Sequence, residues 1–204
     1  MSAPAPIRPD YAIILSAVPD GASVLDVGCG DGELLALLRD RCAARVRGME
    51  LSQAGVNACV QQGLSVVQGD ADLDLSLYPD GAFDLVVLSQ TIQATRRPLH
   101  VLQQLRRIGG RAFVSFPNFA HWQVRLALLT GGRMPVTRGL PSAWHTTENI
   151  HLCSLLDFED LARDANWKIA AVHALSGGSA APATTRTSSW QNLTAEAALF
   201  ELVA

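Results

Sequence analysis

No apolar run in the 204-residue sequence reaches the length needed to cross a membrane, and the N-terminal stretch Met1 to Asp10 has no apolar signal region. A cytoplasmic protein with no membrane partner is expected. An excess of positive charge is also missing, because 16 Lys and Arg against 19 Asp and Glu leave a formal charge of −3. That balance gives no electrostatic footprint for nucleic acid. The four cysteines, Cys29, Cys42, Cys59 and Cys153, form no C-x-x-C pair and no framework of a small secreted domain, so they read as free thiols in a reducing compartment. The sequon Asn192-Leu193-Thr194 carries no weight in such a compartment. No internal repeat is visible. Hydrophobic residues make up 49% of the chain, enough for a sizeable core, and the length suits a single α/β domain over 1–204.

The organising stretch is Val24 to Glu33, reading Val-Leu-Asp-Val-Gly-Cys-Gly-Asp-Gly-Glu. An apolar strand runs through Asp26 into a turn with Gly28, Gly30 and Gly32, and Leu34, Leu35, Leu37 and Leu38 begin a helix. Glycines here let a ligand approach the backbone. A dinucleotide pyrophosphate would call for G-x-G-x-x-G, but Glu33 stands where the third glycine belongs. Asp26 and Asp31, with no Lys or Arg in the loop, would repel a pyrophosphate. A cationic or zwitterionic nucleoside such as S-adenosylmethionine, which has a sulfonium, an ammonium and no phosphate, suits the loop better.

Two further acids support that ligand. Glu50 ends the segment Val46 to Glu50, where a carboxylate can accept both ribose hydroxyls. Asp70 follows Val66-Val67-Gln68-Gly69, placed to accept from an adenine amino group. Any one acid after a strand is as readily a helix cap or a solvated group. The glycine turn followed by all three acids in order favours nucleoside binding.

The segment Val24 to Leu35, with Glu50 and Asp70, resembles the cofactor site of class I S-adenosylmethionine-dependent methyltransferases. Leu88 to Thr95, Val114 to Trp122, Gly132 to Thr137 and Asn149 to Cys153 together resemble the MetW family of methionine biosynthesis proteins over nearly the whole chain. The resemblance implies a Rossmann-like α/β fold: a mostly parallel seven-stranded sheet with an antiparallel C-terminal edge strand, and helices on both faces. It implies a cofactor site of Asp26, Gly28, Cys29, Gly30, Glu50, Leu51, Asp70, Ala71, Ser89 and Gln90, holding S-adenosylmethionine or S-adenosylhomocysteine. It also implies action with homoserine O-acyltransferase in methionine biosynthesis.

Along the chain, Tyr11 to Val18 predicts a short helix, Ser23 to Val27 a buried first strand, and Leu64 to Gln68 a third. Ser52 is placed as an N-cap and Gly63 as a helix stop. The β-α-β-α-β order implies right-handed crossovers. Phe83 to Leu88 reads as a central strand whose end reaches Ser89, Gln90, Thr91 and Gln93, the edge where open parallel sheets bind ligands. Leu99 to Ile108 is a helix, and Arg96, Arg97, Arg106, Arg107 and Arg111 read as its solvated charges. Arg111 to Phe116 is the fifth strand and Asn118 to Leu129 an amphipathic helix. Residues 130–150 lack periodicity and are expected to be a long functional or mobile loop. Ser154 with Asp157 predicts a capping box, Lys168 to Ala174 a strand, 177–190 a flexible surface loop, and Leu199 to Val203 the final edge strand.

Methyl transfer from a sulfonium is an in-line displacement that rests on alignment, and a base is needed only if the acceptor must lose a proton. The catalytic residues are therefore left unassigned, with His121, His145 and His151 as weak candidates. Ser89-Gln90-Thr91-Ile92 has none of the Asn/Asp-Pro-Pro-aromatic pattern of amino-group methyltransferases, which argues against adenine or glutamine amides as acceptors. The spacing of His145, His151 and Cys153 matches no common zinc site, so no metal is expected. Phe116 to Trp122 with Arg125, Arg133 and Arg138 either packs over the sheet edge or presents Trp and Arg to a partner. Two functions remain: a regulatory partner of homoserine O-acyltransferase, or a methyltransferase acting on an unidentified small molecule.

Overall fold

A computed structural model describes residues 7–137 and 139–204, so Arg138 lies outside the described residues. In chain order the elements are α1 (Pro9–Ala17), β1 (Ser23–Val27), α2 (Glu33–Cys42), β2 (Arg45–Glu50), α3 (Gln53–Gln61), β3 (Val66–Gln68), β4 (Leu85–Ser89) and α4 (Pro98–Ile108). They continue with β5 (Arg111–Pro117), α5 (Trp122–Gly131), α6 (Leu155–Asp164), β6 (Lys168–Ser176), β7 (Ser179–Ala180), α7 (Ser189–Thr194) and β8 (Ala197–Val203).

One sheet runs β3-β2-β1-β4-β5-β8-β6-β7. The first five strands in that order are parallel, and the strand order reverses between β1 and β4, which opens a crevice at their C-terminal ends. Strands β1, β4 and β5 are apolar on both faces because both are covered. On one face Leu25, Val27, Val86, Leu88, Val114 and Phe116 pack against α4 and α6. On the other, Val24, Leu85, Val87 and Phe113 pack against Ile14 of α1 and Leu34 and Leu38 of α2. The expected α/β architecture with helices on both faces is present.

Its details differ from expectation at the C-terminal half. Among the described residues the sheet has eight strands, because the short β7 pairs with the end of β6 through Leu175 and Ser176. The C-terminal strand is interior: β8 is antiparallel to both β5 and β6, and the edge it was expected to form is taken by β7. Phe200 explains the insertion, since its ring lies 4.7 Å from Phe158 and 5.7 Å from Phe116, sealing α6 onto the sheet. The expected surface loop 177–190 contains β7, a bridge from Thr184 to Val172, and the start of α7 at Ser189. The helix expected from Asn118 begins at Trp122. Asn118 is buried instead, its carboxamide donating to the carbonyls of Asn192 and Ala195 at 2.8 Å each.

Several arginines expected to be solvated are tethers. Arg107 donates to the carbonyls of Tyr78 and Leu75, Arg106 to that of Asn166, Arg111 pairs with Glu201, and Arg97 donates to the Asp72 carbonyl. Capping is as the sequence implies: Ser52 accepts from the Gly55 N–H at 3.0 Å, and Ser154 and Asp157 form a reciprocal capping box. Among the described residues, no helix is long and apolar enough to cross a membrane.

Candidate functional site

The glycine turn closes on its neighbours rather than presenting a free amide nest. The N–H groups of Gly28 and Cys29 both donate to the Met49 carbonyl, and Gly30 N–H donates to Glu50 Oε2 at 2.9 Å. Asp31 accepts from Glu33 N–H at the start of α2. An anion would find these donors already engaged. Gly28 has φ +74°, and a Cβ there would lie 2.4 Å from Thr91 Oγ1. Gly30, at φ +57°, has open space where its Cβ would be, a place where a ligand can reach the main chain.

Three carboxylates stand at successive strand ends, Asp26 in β1, Glu50 closing β2 and Asp70 just after β3, each with different partners. Asp26 is buried, and its Oδ1 has no hydrogen-bond partner among the described residues. Burial pushes its pKa up to about 7, against the pull of nearby Arg8 and with smaller upward contributions from Glu50 and Asp10. A cationic group brought beside it would offset that cost. Glu50 spans the β2 end, Oε2 on Gly30 N–H and Oε1 on Ser52 N–H at 2.9 Å, and each oxygen keeps acceptor capacity for a hydroxyl. Asp70 Oδ1 accepts from Asp72 N–H at 2.8 Å, while the Asp70 N–H is held by Asp74, so this corner is a chain of self-capping acids. Leu51 is exposed beside it and Ala71 half-buried.

Cys29 contributes only its backbone to the turn. Its thiol points inward, 3.8 Å from Cys59 Sγ, and burial raises its pKa well above the usual thiol range. Gln90, at the end of β4, holds φ +55°, a left-handed conformation uncommon for a residue with a Cβ. Its neighbour Ser89 joins a buried polar cluster with Asp10 and Ser115 at 3.0 and 3.2 Å.

That cluster brings in residues the sequence reading did not single out. Arg8 donates to both Asp10 oxygens, to Tyr11 Oη at 3.0 Å and to Ser89 Oγ at 3.1 Å, clamping the start of α1 onto the end of β4, and Ser115 of β5 donates to Asp10 Oδ2 at 2.9 Å. A basic-x-acidic-aromatic run before a short apolar helix was the available signal, but nothing local ties it to strands 80 to 105 residues away. The histidine candidates do not converge on the turn. His121 caps α5 through Nδ1, while His145 and His151 are exposed.

The family model described as methionine biosynthesis protein MetW matches residues 8–202. The chain belongs to the MetW family. A bifunctional methionine biosynthesis protein MetXA/MetW of Rhodopirellula baltica is 37% identical over 166 residues, covering 77% of this chain and 27% of that protein. A ubiquinone biosynthesis O-methyltransferase of Xanthomonas campestris is 33% identical over 148 residues, 69% of this chain and 60% of that protein. The chain thus spans about a quarter and three-fifths of these two relatives. A solved S-adenosylmethionine-dependent methyltransferase from Thermotoga maritima superposes with a TM-score of 0.68 over 95% of this chain and 86% of its own, at 18% identity, which shows the fold. This MetW chain therefore carries a class I methyltransferase-like fold.

Proposed function

We propose that this MetW chain binds S-adenosylmethionine and acts with homoserine O-acyltransferase in methionine biosynthesis. The observation that carries the reading is the relative in which a MetW segment and MetXA, read here as the homoserine acyltransferase, share one polypeptide. Joining two activities in one chain raises their effective concentration and is productive where they work together.

The residues present fit the cofactor. Glu50 suits the ribose hydroxyls while fixing Gly30, and Asp70 the adenine amino group. Asp26, orphaned at Oδ1 among the described residues, suits the ammonium, and Gly30, open where its Cβ would be, gives close approach to the main chain. Ser89 and Gln90 close the edge, Leu51 and Ala71 flank the adenine side, and Arg8 offers its remaining N–H to a carboxylate. When bound, S-adenosylmethionine supplies an electrophilic methyl group. As the downstream product of the pathway it also serves as a signal, with a coupling free energy linking its site to the partner's.

Calorimetry of this chain against the same organism's homoserine O-acyltransferase, with and without S-adenosylmethionine, tests the reading. A measurable complex is expected, with an affinity that changes several-fold with cofactor. Absence of a complex under both conditions overturns the partnership, and equal affinity overturns the signalling role. A second reading, methylation of an unidentified small molecule, is favoured by the likeness to the ubiquinone O-methyltransferase.

A further inference from the structure

Exposed apolar side chains concentrate on one part of the surface. In α5 only Val124 is buried, whereas Trp122, Leu126 and Leu129 face water, the last 85% exposed. The following segment adds Val136, Ile150, Leu152 and Trp144, which is 74% exposed. A cavity of about 290 Å³ opens within this segment, bordered by Phe119, Met134, Leu140 and Trp144, and Gln123 and Val124 of α5 line a smaller pocket with Thr137 and Leu140. Isolated exposed apolar residues need no explanation, but a contiguous apolar region with two tryptophans has the composition of an interface core. The segment is not adrift: Leu140 is buried, and the N–H groups of Ile150 and His151 both donate to the Gln93 carbonyl at 3.0 Å.

Charge selects among possible occupants. From Asn118 to Thr147 the sequence has no Asp or Glu, although the chain has 19, and Arg125 and Arg133 are exposed there. Glu148 is the one carboxylate of residues 133–152, so a second copy docking face to face would set the exposed Arg125 and Arg133 of each copy against a single exposed glutamate and leave a net positive seam. An apolar surface rimmed by acids is the complement. We propose that α5 and residues 133–137 and 139–152 form the face on which homoserine O-acyltransferase docks, through an apolar, acid-rimmed patch of that enzyme. This rests on the partnership above and places it on one face.

The position of the face also connects it to the ligand edge. Gln93 Nε2 donates to the Gln90 carbonyl at 2.7 Å, while the Gln93 carbonyl holds Ile150 and His151. One buried residue thus joins, through its side chain, the left-handed residue at the end of β4 and, through its main chain, the docking segment.

The test is binding of the whole chain to immobilised acyltransferase from the same organism, comparing the native protein with Leu129→Asp, Trp144→Ser and the control Leu77→Asp. Leu77 is 79% exposed in the short turn Asp74–Leu77, outside the face. Both face variants are expected to weaken Kd by about tenfold or more, with the control within about twofold of native. Thermal melts verify that each variant folds, which its exposed position favours. Native-like binding by folded face variants overturns the docking assignment and leaves the partnership standing. Failure of the native chain to bind overturns both. A native dimer that Leu129→Asp disperses, with acyltransferase affinity unchanged, assigns the face to a second copy and overturns the proposal.

Discussion

Replacing Asp26 by Asn should move stability and ligand affinity in opposite directions. Burial raises the Asp26 pKa from 3.8 to about 7. Below the ordinary value the carboxyl is protonated in both folded and unfolded chains and contributes no difference. Between that value and about 7 the folded state keeps a proton that the unfolded state releases, so stability falls as pH rises. Above about 7 the full cost is present, on the order of 4 kcal/mol for a shift of roughly three units, and about half of that once solvent relaxation is allowed. The isosteric amide removes the charge, so at pH 8 Asp26→Asn should be more stable by about 2 kcal/mol, a rise in Tm of roughly 4–8 °C. Its stability should also be flatter between pH 4 and 7. S-Adenosylmethionine affinity should rise with pH through about 7 in the native chain, and in the variant at pH 8 should be lower by roughly 10- to 100-fold. Circular-dichroism melts and calorimetry across pH 5–8 measure both. A variant less stable than native at pH 8, or one that binds as tightly, would refute the argument.

The two glycines of the turn should separate stability from binding. Gly28→Ala places a Cβ against Thr91 at positive φ and should destabilise the fold by about 2 kcal/mol or more in urea denaturation. Gly30→Ala meets open space, so it should cost only about 1 kcal/mol of backbone strain while weakening cofactor binding several-fold in the same calorimetric assay. Asn118→Ala leaves the carbonyls of Asn192 and Ala195 without their buried donor and should cost about 2–3 kcal/mol, seen as a lower urea midpoint with unchanged slope.

Period and punctuation made the N-terminal half legible. Ser23–Val27 is the first strand at the expected bounds, Ser52 caps α3, and Gly63 follows its end with φ +69°. Each of these rests on neighbours in sequence. What was not legible depends on distant partners. The place of β8 between β5 and β6 is decided by the aromatic packing of Phe200 with Phe116 and Phe158, which no local pattern encodes. Arg107 looks like a solvated helix charge until the carbonyls of Leu75 and Tyr78 are brought beneath it. At the site, the acids after the strands were readable because parallel strands end on one edge. The Arg8–Asp10 clamp was not, because Ser89, which accepts from Arg8, and Ser115, which donates to Asp10, lie far along the chain. Trp122, readable either as packing or as interface, is exposed at 45%.

The central claim is action with homoserine O-acyltransferase, and its most direct test is the rate of acyl-CoA consumption by that enzyme with and without a stoichiometric excess of this chain. A rate that changes on addition, and changes again when S-adenosylmethionine is supplied, is the predicted result. An acyltransferase that is fully active alone and indifferent to the chain, with and without S-adenosylmethionine, would contradict the account.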